Sequence, residues 1–374
     1  MTGSPGDRAR SVLSPLDDLP VHQIAEPVRY VATSDRNFYD RYYFNAHRRD
    51  GSLFVVAGMG QYPNLGTTDA FIAVRQGDRQ QVVRSSRLLG ADRMDTTVGP
   101  FRVQVIEGLK SLRLVCDAPD LPVGADLTWS AAIPAIAEPR HFYRSGARVV
   151  SDTMRMAQTG TWSGSLRLGD ERLDVRPEVW AGGRDRSWGV RPVGEPEPRG
   201  ARDIDGSPGF FWIYGTPQFD DFSVIVIVHE DRTGQRILEE AVLVWPESSG
   251  KPPESLGRPE HTVVFADTAV GTQPGTVQKA TLTFAGTDDV LEVQPLTAVY
   301  LALGTGYGIE PDWRHGMYHG PSVVQSVEYS LQDEEVRLRS RGLVDHLARF
   351  EFAGRVGFGL FEFALLGPHD RYQR

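Results

Sequence analysis

SLRLVCDA, residues 111–118, alternates: Leu112, Leu114 and Cys116 point one way, Ser111, Arg113 and Val115 the other. Side chains of an extended chain project to alternate faces, so a period of two predicts a strand with one buried face. The pattern also assigns Cys116, the single cysteine, to a core position as a small apolar group rather than to chemistry as a nucleophile. The same period recurs outward along the chain. TWSGSLRL (161–168) sets Trp162, Leu166 and Leu168 on one face, and KATLTFAG (279–286) does so with Ala280, Leu282 and Phe284. QSVEYSLQD (325–333) aligns Val327, Tyr329 and Leu331, and EEVRLRSRG (334–342) reads as a strand with Val336 and Leu338 opposite Arg337 and Arg339. FSVIVIVHE (222–230) differs, being almost continuously apolar and β-branched, which predicts a central strand covered on both faces near a domain contact. Turn signals separate these runs: RRDGS at 48–52, EDRTGQ at 230–235 and FAGTDD at 284–289. Many short strands joined by such turns predict an all-β chain of antiparallel sheets, as sandwich or barrel. Helix is expected only locally, as in LTAVYLAL at 296–303.

A chain of 374 residues has room for two domains, and 40% hydrophobic with 24% charged residues is a globular composition. The net charge of -9, with no basic run, argues against nucleic acid and against an anionic membrane surface. No apolar stretch approaches the ~20 residues that span a bilayer, so no membrane insertion is expected. One cysteine excludes an intrachain disulfide and a thiolate zinc site, and it fits a reducing cytoplasm. Residues 1–25 lack a secretory apolar core and read as a disordered lead-in. No P-loop, dinucleotide fingerprint or G-x-S-x-G elbow occurs, so no cofactor is implied. The best boundary is near Pro177, which divides the chain into 26–176 and 177–374.

GGRDRSWGVRP, residues 182–192, resembles the R-D-H-S-W-G-x-R signature of proteins related to carotenoid 1,2-hydratase (hydroxyneurosporene synthase). The resemblance extends to SDRNFYDRYYF (34–44), GQYPNLGTTDAF (60–71), WRHGMYHG (313–320) and GLFEFALLGPHDRY (359–372), which together span almost the whole chain. It implies a tandem pair of lipocalin-like antiparallel β-barrels and a small apolar ligand: an isoprenoid, a lipid or a polycyclic product. Arg186 stands where the signature carries His, which replaces a potential proton relay by a permanent cation.

The candidate site residues follow from chemistry. Asp185 lies between Arg184 and Arg186. Either Arg184, Asp185, Trp188 and Arg191 clamp the junction of the two domains, or strand alternation turns Asp185 alone into an interior. Glu362 sits between Phe361 and Phe363; inside a cavity it would be desolvated and a general acid, whereas on the other face it is an ordinary wet residue. Asp370, after Gly-Pro and beside His369, reads as part of a turn or clamp. Trp188, Trp212 and Tyr214 are candidate aromatic walls, with His229 at the end of the apolar strand either projecting inward or being the first wet residue. His315 and His319 are four apart, but Gly316 and Gly320 oppose a helix, so a metal site is not expected and a loop offering Trp313 and His315 to a ligand is. Two functions fit. The first is a cofactor-independent hydratase, isomerase or cyclase that protonates a C=C bond with Asp185 or Glu362. The second is a carrier that binds a lipophile without turnover.

Overall fold

The computed structural model describes residues 12–197, 209–266, 276–308 and 310–372. In chain order the strands are β1 (Phe38–Arg48), β2 (Phe54–Tyr62), β3 (Thr67–Gln76), β4 (Arg79–Leu88), β5 (Thr97–Val98), β6 (Phe101–Glu107), β7 (Ser111–Cys116), β8 (Val123–Ala131), β9 (Ile136–Ala137), β10 (His141–Ser145), β11 (Arg148–Leu168), β12 (Glu171–Val175) and β13 (Trp180–Val190). The second half supplies β14 (Phe210–Gln218), β15 (Ser223–Glu230), β16 (Arg236–Val244), β17 (Glu254–Ser255), β18 (Pro259–Phe265), β19 (Val277–Phe284), β20 (Thr287–Tyr300), β21 (Ser322–Ser330), β22 (Val344–Phe352) and β23 (Arg355–Leu366). Among the described residues they form two curled antiparallel sheets, a tandem lipocalin-like arrangement with little helix. The first runs β21-β4-β3-β2-β1-β13-β11-β8-β7-β6-β5, with β9, β10 and β12 also on β11; the second runs β17-β16-β15-β14-β23-β22-β20-β19-β18.

Alternation along the strands divides the apolar residues into three cores. Phe44, Leu112, Leu114, Cys116, Trp162 and Leu166 fill the inside of the first sheet. Phe211, Val224, Val226, Leu282 and Phe361 fill the second. Tyr43, Trp212, Ile225, Ile227 and Leu360, on the other faces of the same strands, meet between the sheets. The FSVIVIVHE run is therefore covered on both faces, as its composition requires. Burial pushes the Cys116 thiol up to about 12, so it remains a neutral apolar group at neutral pH.

Some expectations are corrected. EEVRLRSRG forms a helix, Glu334–Arg339, rather than a strand. Asp333 caps it by accepting from Glu335 N, acids fill its first turn and arginines its last, and these local terms outweigh a weak period of two. LTAVYLAL is not helical: β20 continues to Tyr300, shifting register between Pro295 and Thr297, because Thr297 and Val299 pair with β22. The chain changes sheet after Val190, not near Pro177, since β13 is hydrogen-bonded between β1 and β11. β21 then returns from the second half to pair with β4. Residues 1–11 of the expected lead-in lie outside the described residues. Those that follow are held: Ser14 caps a 3-10 turn (Pro15–Asp18), and Val28 N donates to Asp17 Oδ1 at 2.7 Å.

Candidate functional site

A cavity of about 520 Å³ opens between the two sheets. It lies between the sheets rather than inside either barrel, since its lining comes from the facing outer sides of the two sheets. Strand register builds its walls. On the first sheet Tyr43 pairs with Asp185, which pairs with Ala157; Arg41 pairs with Ser187, which pairs with Arg155. Paired residues share a face, so Tyr43, Asp185, Ser187 and Arg155 all look toward the second sheet. There Trp212 pairs with His229 and Ala364, and Glu362 pairs with Tyr214 and Asp345. Tyr39, Phe210, Leu238, Tyr307 and Leu343 complete a largely apolar wall.

Asp185 faces this cavity. Among the described residues, no side-chain hydrogen bond or ion pair engages its carboxyl. Burial raises its pKa, opposed by Arg155, Arg191, Arg41 and Arg184. Its flanking arginines project from the opposite face: Arg184 donates to Gln158 Oε1, and Arg186 donates to Asp40. Arg184 is spent on Gln158 and Trp188 is 41% exposed on the far side, so neither reaches across the junction. Arg191 lies over Tyr39, 4.5 Å from the ring centroid, and lines the cavity. Arg186 is not among the residues that line this cavity.

Glu362 also lines the cavity and accepts a hydrogen bond from Trp212 Nε1. Its neighbour across the strand pair is Asp345, a fully buried residue that the sequence reading did not single out. Tyr43 Oη donates to Asp345 Oδ2 at 2.5 Å. The two carboxyls occupy paired positions on one face of the ladder, and Asp345 Oδ1 has no hydrogen-bond partner among the described residues. Burial, followed by the charge of Glu362, drives Asp345 well above the usual carboxylate range, and burial also raises Glu362. Burial and mutual proximity thus both bias the pair toward protonation.

His229 is buried and lines the cavity, the inward of the two placements that its strand-end position allows. Its Nδ1 lies 2.9 Å from Nε2 of His141, a second residue the sequence reading missed. Burial pushes both imidazoles down, to about 4 for His229 and about 3 for His141, so both are neutral at pH 7. Arg155 is held by Glu138, and Tyr214 Oη donates to the same carboxylate at 3.0 Å. Tyr214 therefore supports the wall from behind and is not among its lining residues. The remaining candidates are elsewhere. Trp313 is buried, stacked on His319 at 4.1 Å and covered by Arg84. His315 is buried, contacts Thr305 O at 2.9 Å and lines a smaller cavity of about 370 Å³ that shares Arg191 and Tyr307 with the main one. Asp370 is an exposed partner of Arg232 at 3.8 Å and clamps nothing between the sheets. A signal for Asp345 does exist: VDHLARFEF sets an acid in a strand whose neighbours are mostly apolar.

Comparison with known proteins places this geometry. The family of unknown function DUF8625 matches residues 13–373. The chain belongs to that family. No curated protein matches it. Among solved structures, an AttH-type protein of Nitrosomonas europaea shares 13% identity and a TM-score of 0.54, over 94% of this chain and 99% of that one. Kievitone hydratase of Nectria haematococca gives 12% identity and a TM-score of 0.46 over 87% and 88%. CghA in complex with Sch210972 gives 13% and 0.49 over 89% of each chain. Identities this low speak to fold alone, and the AttH-type protein, similar over nearly its full length, supports the tandem arrangement for this member of DUF8625.

Proposed function

We propose that this DUF8625 protein is a cofactor-independent enzyme that protonates a C=C bond of an apolar substrate held between the two sheets. The observation that carries the reading is the Asp345–Glu362 pair in the wall of a largely apolar cavity. Two adjacent buried carboxyl groups do not both ionise, so one proton is retained at neutral pH. Glu362, the member that opens to the cavity, delivers it. Asp345 sits behind, holds the proton within the pair and is itself oriented by Tyr43. Protonation of an alkene leaves a carbocation, which the ring of Phe210, a lining residue, stabilises through its quadrupole. Asp185, uncommitted on the opposite wall, then takes up a proton from the substrate or from an attacking water. Loss of a substrate proton gives isomerisation or cyclisation; addition of water gives hydration.

The test incubates the protein with a lipophilic extract of its source cells in heavy-oxygen water, beside Glu362→Gln and Asp185→Asn. Products are weighed by mass spectrometry. Either label gain or an unlabelled rearranged product is expected with the native chain only, and the Glu362 variant should lose about 10²-fold or more in rate. A compound retained by the native protein and never altered would overturn the reading in favour of a lipophile carrier.

A further inference from the structure

Around His229 the wall of the cavity between the sheets carries two buried polar atoms without a hydrogen-bond partner among the described residues: Nε2 of His229 and Oη of Tyr143. Both side chains line the cavity, and their rings stand edge to face with centroids 5.8 Å apart. His229 is 1% exposed. An unsatisfied polar atom at this depth is destabilising, and native proteins keep few of them. The surroundings offer no relief. Phe210 lies 4.6 Å from the His229 ring, and Leu238 is its partner across the ladder.

Hydrogen bonding assigns the tautomers. Ser151 Oγ donates to His141 O at 3.4 Å and lies 3.5 Å from His141 Nδ1. With its proton committed to the carbonyl, Ser151 can only accept at Nδ1, so His141 carries its hydrogen there and its Nε2 is bare. His229 Nδ1, 2.9 Å away, is then the donor to that nitrogen. Burial keeps both imidazoles neutral, so His229 has no second hydrogen and its Nε2 is left as an acceptor. A bare acceptor in an apolar wall calls for a neutral donor. A carbonyl or ether oxygen would repel it, and an ammonium would be desolvated among Phe210, Trp212 and Leu238.

We propose that His229 and Tyr143 form the recognition point for a substrate hydroxyl, so that the apolar substrate is an alcohol or a phenol. Its O–H donates to His229 Nε2, and its oxygen accepts from Tyr143 Oη. His141 and Ser151 are positioning residues that fix the tautomer of His229. The inference names the substrate class of the proposed reaction and rests on that reading for the chemistry, although Asp345, Glu362 and Asp185 take no part in holding the hydroxyl.

Isothermal titration of the full chain at pH 7 tests it with para-phenylphenol and para-methylbiphenyl, which differ only in a hydroxyl for a methyl. The native chain is expected to bind the phenol more tightly by about tenfold or more. His229→Phe keeps a ring in the wall and should abolish the preference while the hydrocarbon still binds. Tyr143→Phe removes one oxygen from a partly exposed ring. It should lower the preference severalfold, and it decides the matter should His229→Phe fail to fold. Titration needs no turnover, so loss of this preference and failure of alkene protonation are separate results. Equal affinities for the two probes, no binding of either by the native chain, or a preference undiminished in Tyr143→Phe and in folded His229→Phe overturns the proposal.

Discussion

At the scale of single residues the proposed reading rests on Asp345 and Glu362, and the protonated carboxyl it requires has a direct signature. Infrared difference spectra at pH 7 should show the C=O stretch of a protonated, buried carboxyl in the native chain. Glu362→Gln and Asp345→Asn should each shift or weaken it, because each removes the like charge that adds to burial in holding the proton. An unshifted band of full intensity in both variants would place the proton on another group. A second titration concerns His47, fully buried in β1, whose pKa burial lowers to about 4. The unfolded chain binds this proton near pH 6.5 and the folded chain only near 4. Stability contributed by the neutral imidazole is therefore present above pH 6.5 and lost as pH falls toward 4. Between pH 7 and 5 this amounts to roughly 2 kcal/mol. Urea unfolding at the two pH values should show a loss smaller by that amount in His47→Gln than in the native chain.

Within elements, close backbone approach sets what the strands tolerate. Gly160 of β11 and Gly182 of β13 are paired across the ladder. A Cβ on Gly182 would lie 2.0 Å from Asn45 O and 2.9 Å from Trp162 Nε1. Trp162 Nε1 already donates to that carbonyl at 2.9 Å and stacks edge-on against Trp129. Gly182→Ala must displace backbone or indole, and it should lower stability by about 1–3 kcal/mol in chemical denaturation; an unchanged midpoint would mean the strands part without cost. This level also marks the limit of what the sequence made legible. Alternation at Leu112, Leu114 and Cys116, and double burial at Val224–Val228, could be read directly, because a strand's period is a local property. Which face of β23 carries function could not. Phe361 and Phe363 occupy one core, yet Glu362 on the other face meets a second apolar layer rather than water, and that layer comes from the other sheet. The placement of His229, inward or wet, stayed open for the same reason. Asp345 was missed because a lone acid gains meaning only when register sets Glu362 beside it.

For the whole molecule, the apolar layer between the sheets makes the halves interdependent. Tyr43, Phe54 and Val82 from the first sheet pack with Trp212, Ile225 and Leu347 from the second. A fragment ending at residue 197 would expose that face and leave the β4 edge unpaired, so it should aggregate on size-exclusion chromatography, and co-expression with residues 198–374 should restore soluble material. A soluble, cooperatively melting fragment would show that the first sheet stands alone. The return of β21 to the β4 edge carries a consequence in time as well as in space. Synthesis proceeds from the N-terminus, and domains ordinarily fold as they emerge. Here the strand that completes the first sheet, Ser322–Ser330, leaves the ribosome only after most of the second sheet has been made. The nascent chain must hold an open strand edge through that interval, and the first sheet is completed only once residues 322–330 have emerged.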